Sequence, residues 1–146
     1  MAEPKEFVRR QIALFNEGKI AESMEDWADD AELVTPMAPP LKGRQAITEY
    51  WRQMKESFPD SKVTVHKMVT EGNTTVTEYT FTGTNTGPLT LPTGEKVPAT
   101  GKLVTGLALD IGIVENGKIK SLHQCFDTIP GMVQLGLMPA PARVST

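Results

Sequence analysis

Up to Phe58 the apolar positions recur at helical spacing; beyond it they alternate. Phe7, Val8, Ile12, Leu14 and Phe15 mark a first helix. Asn16-Glu17-Gly18 predicts its stop, because glycine can take the left-handed conformation that ends a helix. Ile20, Met24, Trp27 and Ala28 mark a short second helix, and the tight turn between the two predicts a helical hairpin. Asp29-Asp30 ends that segment, with a short strand over Ala31 to Thr35. Pro36, Pro39 and Pro40 predict a loop without regular structure. A third helix carries Ala46, Ile47, Tyr50, Trp51, Met54 and Phe58 on one face and closes at Phe58-Pro59-Asp60.

Strands follow. Lys62 to Thr70 alternates through Val63, Val65 and Val69, and Val76 to Thr86 is rich in β-branched and aromatic residues. Val104 to Glu115 and Lys118 to Asp127 flank Asn116-Gly117, a type I′ hairpin signal. The prolines and glycines of Thr86 to Gly101 predict a long loop or an edge hairpin. A last apolar run spans Ile129 to Leu137. Helices first and strands afterwards predict an α+β fold. Three N-terminal helices would pack on a curved antiparallel or mixed sheet, forming a cone-shaped barrel around a small-molecule pocket. One domain is expected over 1–139, with a flexible tail over 140–146.

Composition narrows the class. With 15 Lys+Arg against 18 Asp+Glu the net charge is −3, so no bulk attraction to nucleic acid or an anionic membrane is expected. The charged N-terminus lacks a signal-peptide core, and the apolar stretch Leu103 to Val114 is short and broken by Asp110. Cys125 is the single cysteine and cannot form an internal disulfide. These features predict a soluble, cytoplasmic protein. Two histidines and one cysteine show no metal-ligand spacing, and no phosphate-binding glycine loop or nucleophile elbow occurs, so no metal or cofactor is expected.

The candidate chemistry lies on the last two strands. Alternation divides Lys118 to Asp127 into two sets. Ile119, Ser121, His123, Cys125 and Asp127 form one; Lys120, Leu122, Gln124 and Phe126 form the other. The first set would line the pocket if its face is the concave one. Asp127 is then an acid/base candidate, since an apolar cavity raises a carboxyl into the working range. It is equally a candidate cap for a helix starting at Thr128. His123 gains interest only from sharing a face with Asp127, and a Cys125–His123 nucleophilic pair is too widely spaced at ~7 Å. Asp110 sits on a face of small residues, Gly106, Ala108 and Gly112, which would leave room for a ligand or else face solvent. The opposite face, Leu107, Leu109, Ile111 and Ile113, must pack on helices or a partner subunit. Trp27, Trp51, Met54 and Phe58 are core residues first and cavity-wall candidates second. His66 and Glu78 are taken as solvent-facing.

Several pieces in order resemble the nuclear-transport-factor-2-like superfamily: Phe15-Asn16-Glu17-Gly18, Trp27-Ala28-Asp29-Asp30-Ala31, Lys42-Gly43-Arg44-Gln45-Ala46-Ile47 and Glu115-Asn116-Gly117-Lys118-Ile119. Within it, Phe58-Pro59-Asp60, Thr82-Gly83-Thr84-Asn85-Thr86-Gly87, Phe126-Asp127 and Gln134-Leu135-Gly136-Leu137-Met138-Pro139 resemble the SnoaL-like polyketide (ester) cyclases. That resemblance implies Asp127 as acid/base, at the end of the last strand, and Asp110 as the counterpart of a ketosteroid isomerase oxyanion donor. The isomerase's tyrosine and base positions hold Gln11 and Thr35, and no arginine lies between Arg52 and Arg143 to bridge two aspartates as an epoxide hydrolase requires.

The expected function is therefore cofactor-independent ring closure of a polyketide-like ester. Asp127 would be catalytic with His123, and Asp110, Cys125, Trp27, Trp51, Met54 and Phe58 would contact substrate. The alternatives are a non-catalytic small-molecule-binding domain and an epoxide-hydrolase-like hydrolase. The superfamily's habit of pairing through its sheet implies a homodimer.

Overall fold

The computed structural model describes residues 3–140; of the tail expected over 140–146, residues 141–146 lie outside them. Helix α1 runs over Pro4–Asn16, with proline in its first turn where no amide donor is needed. It ends at Gly18, φ +77°, where the Lys19 N–H donates to the Leu14 carbonyl and the Gly18 N–H to that of Phe15. That pair of bonds closes the last turn and starts the hairpin. Helix α2 (Ile20–Ser23) and a 3₁₀ turn (Met24–Asp26) follow.

Two local expectations fail here, both because strand pairing overrides them. Trp27 and Ala28 are not helical: strand β1 spans Trp27–Thr35 and includes Asp29 and Asp30. Trp27 pairs with Ile119, and its indole N–H donates to Gln11 Oε1 at 2.7 Å. The proline segment is not a loop either, since Ala38–Lys42 forms strand β2. β2 is an edge strand paired only with β1, and its register slips between Leu33 and Thr35. An edge with a slip tolerates the amide donors that Pro39 and Pro40 lack.

Helix α3 (Arg44–Ser57) buries Ile47 and Tyr50. Beyond it come β3 (Lys62–Glu71) and β4 (Thr74–Thr84), then the two-residue strands β5 (Leu89–Thr90) and β6 (Lys96–Val97) as a side hairpin. β7 (Leu103–Glu115) and β8 (Lys118–Cys125) meet at Asn116-Gly117, both at positive φ as a type I′ turn requires. Helix α4 (Thr128–Gln134) completes the described chain. The main sheet has six strands in the order β2-β1-β8-β7-β4-β3, with β1 and β8 parallel and the other pairs antiparallel.

The helices cover one face. Trp27, Leu33, Ile47 and Ile119 centre the main core, and Phe58, Leu89 and Leu135 form a second cluster where Phe58 meets Phe81 edge-on at 5.5 Å. The helix-covered face of β7 is the small one: Gly106, Ala108, Asp110 and Gly112. Its bulky residues Leu107, Leu109 and Ile111 point outward, beside Val76 of β4 and Val69 of β3.

The Thr82–Gly87 segment has a structural role. Asn85 is fully buried, and its amide donates to the Ser57 and Gly87 carbonyls while its Oδ1 accepts from Thr100. It thereby pins the side hairpin to the end of α3. Asp60 accepts from the backbone and hydroxyl of Thr84, which ties the turn after α3 to the end of β4.

Candidate active site

The small face of β7 leaves a cavity of about 400 Å³ between the sheet and helices α1, α3 and α4. Its walls are mainly apolar and include Phe15, Trp27, Trp51, Met54, Phe58 and Met132. Among the described residues, no lysine, arginine or histidine lines it. Among the described residues, no group of three or more His, Cys, Asp and Glu side chains is placed to hold a metal ion.

One polar line crosses this apolar space. Thr35 Oγ1 lies 3.1 Å from the Tyr50 hydroxyl, which is 3.2 Å from Gln124 Oε1. Gln124 Nε2 lies 3.4 Å from the Tyr79 hydroxyl, which donates to Asp110 Oδ1 at 2.8 Å. Strands β1, β4, β7 and β8 and helix α3 each supply one member. Burial pushes the Asp110 carboxyl up to about 7, against the opposing hydrogen bonding of Tyr79 and Gln124. Burial also raises the Tyr50 hydroxyl to about 12, and Tyr79 stands well above the ordinary phenol range through burial and the Asp110 charge. Near neutral pH, Asp110 is therefore the group of this line that can gain or lose a proton.

The second strand set, not the first, faces the cavity. Leu122, Gln124 and Phe126 line it, whereas His123 and Cys125 are exposed on the outer face, opposite Ile111 and Leu109. This corrects the expected placement of His123 and Cys125. Ile113 pairs with Ser121 but Val114 with Ile119, so Lys120 is an extra residue on β8. A one-residue bulge exchanges the two faces of a strand, and Ile119 and Leu122 both point inward across it.

Asp127 stands at the rim, exposed, and its Oδ1 accepts the Ile129 N–H at 2.9 Å, capping α4. Asp110, Trp27, Trp51, Met54 and Phe58 all line the cavity. His66, on the outer face, lies 2.6 Å from Thr80 Oγ1; neither it nor Glu78 reaches the cavity. Tyr50, Tyr79 and Gln124 were missed as site residues. Gln124 was visible as the lone polar residue among Leu122 and Phe126, and that was the available signal.

A curved sheet roofed by helices around an apolar cavity, with one carboxyl in its depth, defines a nuclear-transport-factor-2-like fold. The chain belongs to the SnoaL-like domain family, which it matches over residues 8–122. Among solved structures it is similar to IdmH, a proposed polyketide cyclase from Streptomyces antibioticus, at 26% identity and TM-score 0.76, covering 92% of this chain and 99% of that one. A proposed SnoaL-like polyketide cyclase from Jannaschia sp. CCS1 superposes with TM-score 0.80 at 19% identity, covering 93% of both chains. AclR, a proposed hydroxylase from Streptomyces galilaeus, gives 0.79 at 19% identity over 93% of this chain and 97% of its own. No curated protein matches the chain in sequence.

Proposed function

We propose that the protein is a cofactor-independent acid/base enzyme that closes a ring in a polyketide-like ester, with Asp110 as the catalytic group. One observation carries this: the depth of an apolar cavity, lined by no cationic side chain among the described residues, holds a single carboxyl that burial pushes up to about 7. As carboxylate, Asp110 takes a proton from the carbon α to the ester carbonyl. The carbanion attacks a second carbonyl and forms the carbon–carbon bond. The resulting alkoxide takes the proton back from Asp110, so atoms and charge balance without a co-reactant. Asp110 Oδ1 is occupied by Tyr79, which leaves Oδ2 for the travelling proton. The solved cyclase-like relatives favour this substrate class. Asp127 is assigned to the helix cap and the rim, and His123 takes no part.

The test is α-proton exchange. A panel of aromatic β-carbonyl methyl esters in D₂O, followed by NMR and by ultraviolet change on ring closure, should show exchange with wild-type protein. Tight binding without exchange across the panel would favour a binding domain instead, and diol release from an epoxide would favour a hydrolase.

We also infer that the protein acts as a homodimer paired through the outer sheet face. Leu107 is 61% and Val69 53% exposed, and Leu109, Ile111 and Val76 complete a continuous apolar patch between them. A patch of this kind marks an interface. Sedimentation should give twice the 16.0 kDa chain mass, and Ile111→Lys should give the single mass with the fold retained. A wild-type monomer at high concentration would refute the interface. Cys125, exposed on this face and without a cysteine partner, fits a reducing cytoplasm.

A further inference from the structure

The polar line through the cavity has a direction, forced by counting protons. Each hydroxyl carries one proton, and an amide side chain carries donors on nitrogen only. Tyr79 uses its proton on Asp110 Oδ1, so toward Gln124 it can only accept. Gln124 must then present Nε2 to Tyr79 and Oε1 to Tyr50. Tyr50 gives its proton to Oε1, so it accepts from Thr35. All four bonds run toward Asp110.

We propose that Gln124, clamped by Tyr50, is a positioning residue that keeps this chain one-way and so directs the Asp110 proton onto Oδ2, the oxygen left for a ligand. The inference rests on the acid/base reading of Asp110 given above. A proton on Oδ1 would have to be donated to Tyr79, which would turn the Tyr79 proton toward Gln124. The amide would then need to present its oxygen to Tyr79, a half-turn that places Nε2 against Tyr50. The Tyr50 proton on Oε1 opposes that turn. A chain of aligned bonds also polarises each member, so Tyr79 is a stronger donor to the carboxylate than an isolated phenol. Gln124 and Tyr50 thus act on the ligand through Asp110.

The other groups packed around Asp110 do not compete. Helix α1 brings Val8, Gln11, Ile12 and Phe15, none of which titrates, and Gln11 is engaged by Trp27, Ser23 and Asp26. Beside Tyr50 and Tyr79, the remaining titratable group on the cavity wall among the described residues is Asp127 at the rim.

The test reads the carboxyl directly, by carbon-13 NMR titration of labelled protein without ligand. Tyr79→Phe should raise the Asp110 midpoint by about one pH unit, the worth of a hydrogen bond to a charged group. Gln124→Met should raise it by a few tenths of a unit, through the amide's own hydrogen bonding to Asp110 and through Tyr79, and Tyr50→Phe, one bond further off, by about a tenth or less. The lower limb of the α-proton exchange profile should move by the same amounts. Gln124→Met that unfolds more easily yet leaves the midpoint in place would overturn the chain and reduce Gln124 and Tyr50 to packing. Exchange that survives Asp110→Asn, with the midpoint shifts intact, would sink the enzymatic reading instead and leave the chain standing.

Discussion

Replacing Asp110 by asparagine is expected to lower turnover by two to four orders of magnitude, the usual worth of a positioned acid/base. Asparagine keeps the shape and can still accept the Tyr79 hydrogen bond, so the cavity should survive. The same substitution should raise stability above neutral pH. Folding lifts this carboxyl from 3.8 to about 7, which means that the folded state disfavours its charge. Below pH 4 both folded and unfolded chains hold the proton and the group costs nothing. Between 4 and 7 the unfolded chain releases it first, and wild-type stability falls. Above 7 the full penalty is present. Each pH unit corresponds to about 1.4 kcal/mol, and the opening of the cavity to solvent softens this to roughly 2 kcal/mol in all. Thermal melts of the two proteins should agree at pH 4 and separate at pH 8, with Asp110→Asn the more stable. Taking the difference between them cancels Asp30, Glu49 and Asp60, whose carboxyls are held below the ordinary range by Lys120, Arg52 and Thr84. Equal melting at pH 8 would mean that Asp110 is ordinarily ionised.

Asn85→Ala should produce the largest loss of stability. The fully buried amide serves the Ser57 and Gly87 carbonyls and the Thr100 backbone and hydroxyl together. Alanine would strand buried backbone groups at about 1–3 kcal/mol each, so a total near 4 kcal/mol is expected. For a chain of this size that corresponds to a fall of roughly 10–15 °C in Tm. Gly87→Ala attacks the same joint differently: its Cβ would lie 1.9 Å from the Glu56 carbonyl oxygen. That contact is with backbone and cannot be relieved by a rotamer, so the loop must move away from α3. Both variants should also loosen the Phe58–Leu89–Leu135 cluster at the cavity wall and weaken ligand binding. A Tm within two degrees of wild type for Asn85→Ala would show that the side hairpin is not anchored there.

Most of the fold was legible because its signals are local. The Gly18 stop, the Phe58-Pro59 stop and the Asn116-Gly117 turn depend on dihedral preferences of neighbouring residues, and each is found in place. Trp27 and the Pro39-Pro40 pair misled for one shared reason. Their conformation is set by strand pairing that overrides local preference, with the distant β8 for Trp27 and with the adjacent edge of β1 for the prolines. Asp110 was legible as a cavity residue because small neighbours on one strand face announce unfilled space. His123 was misplaced because alternation assigns two sets without saying which is inside, and the bulge at Lys120 exchanges them.

The sequence by itself determined the α+β order of elements, the presence of a pocket-forming sheet and the two carboxylates that compete for the chemistry. It did so because periodicity, turn residues and residue size act within a few positions of one another. Only the tertiary structure set the two carboxylates apart in their surroundings. Asp127 ends β8 at the rim and is used as a cap, while Asp110 is enclosed where four strands and α3 converge. Desolvation and a directed chain of hydrogen bonds are properties of that convergence, and no local stretch of the chain contains them.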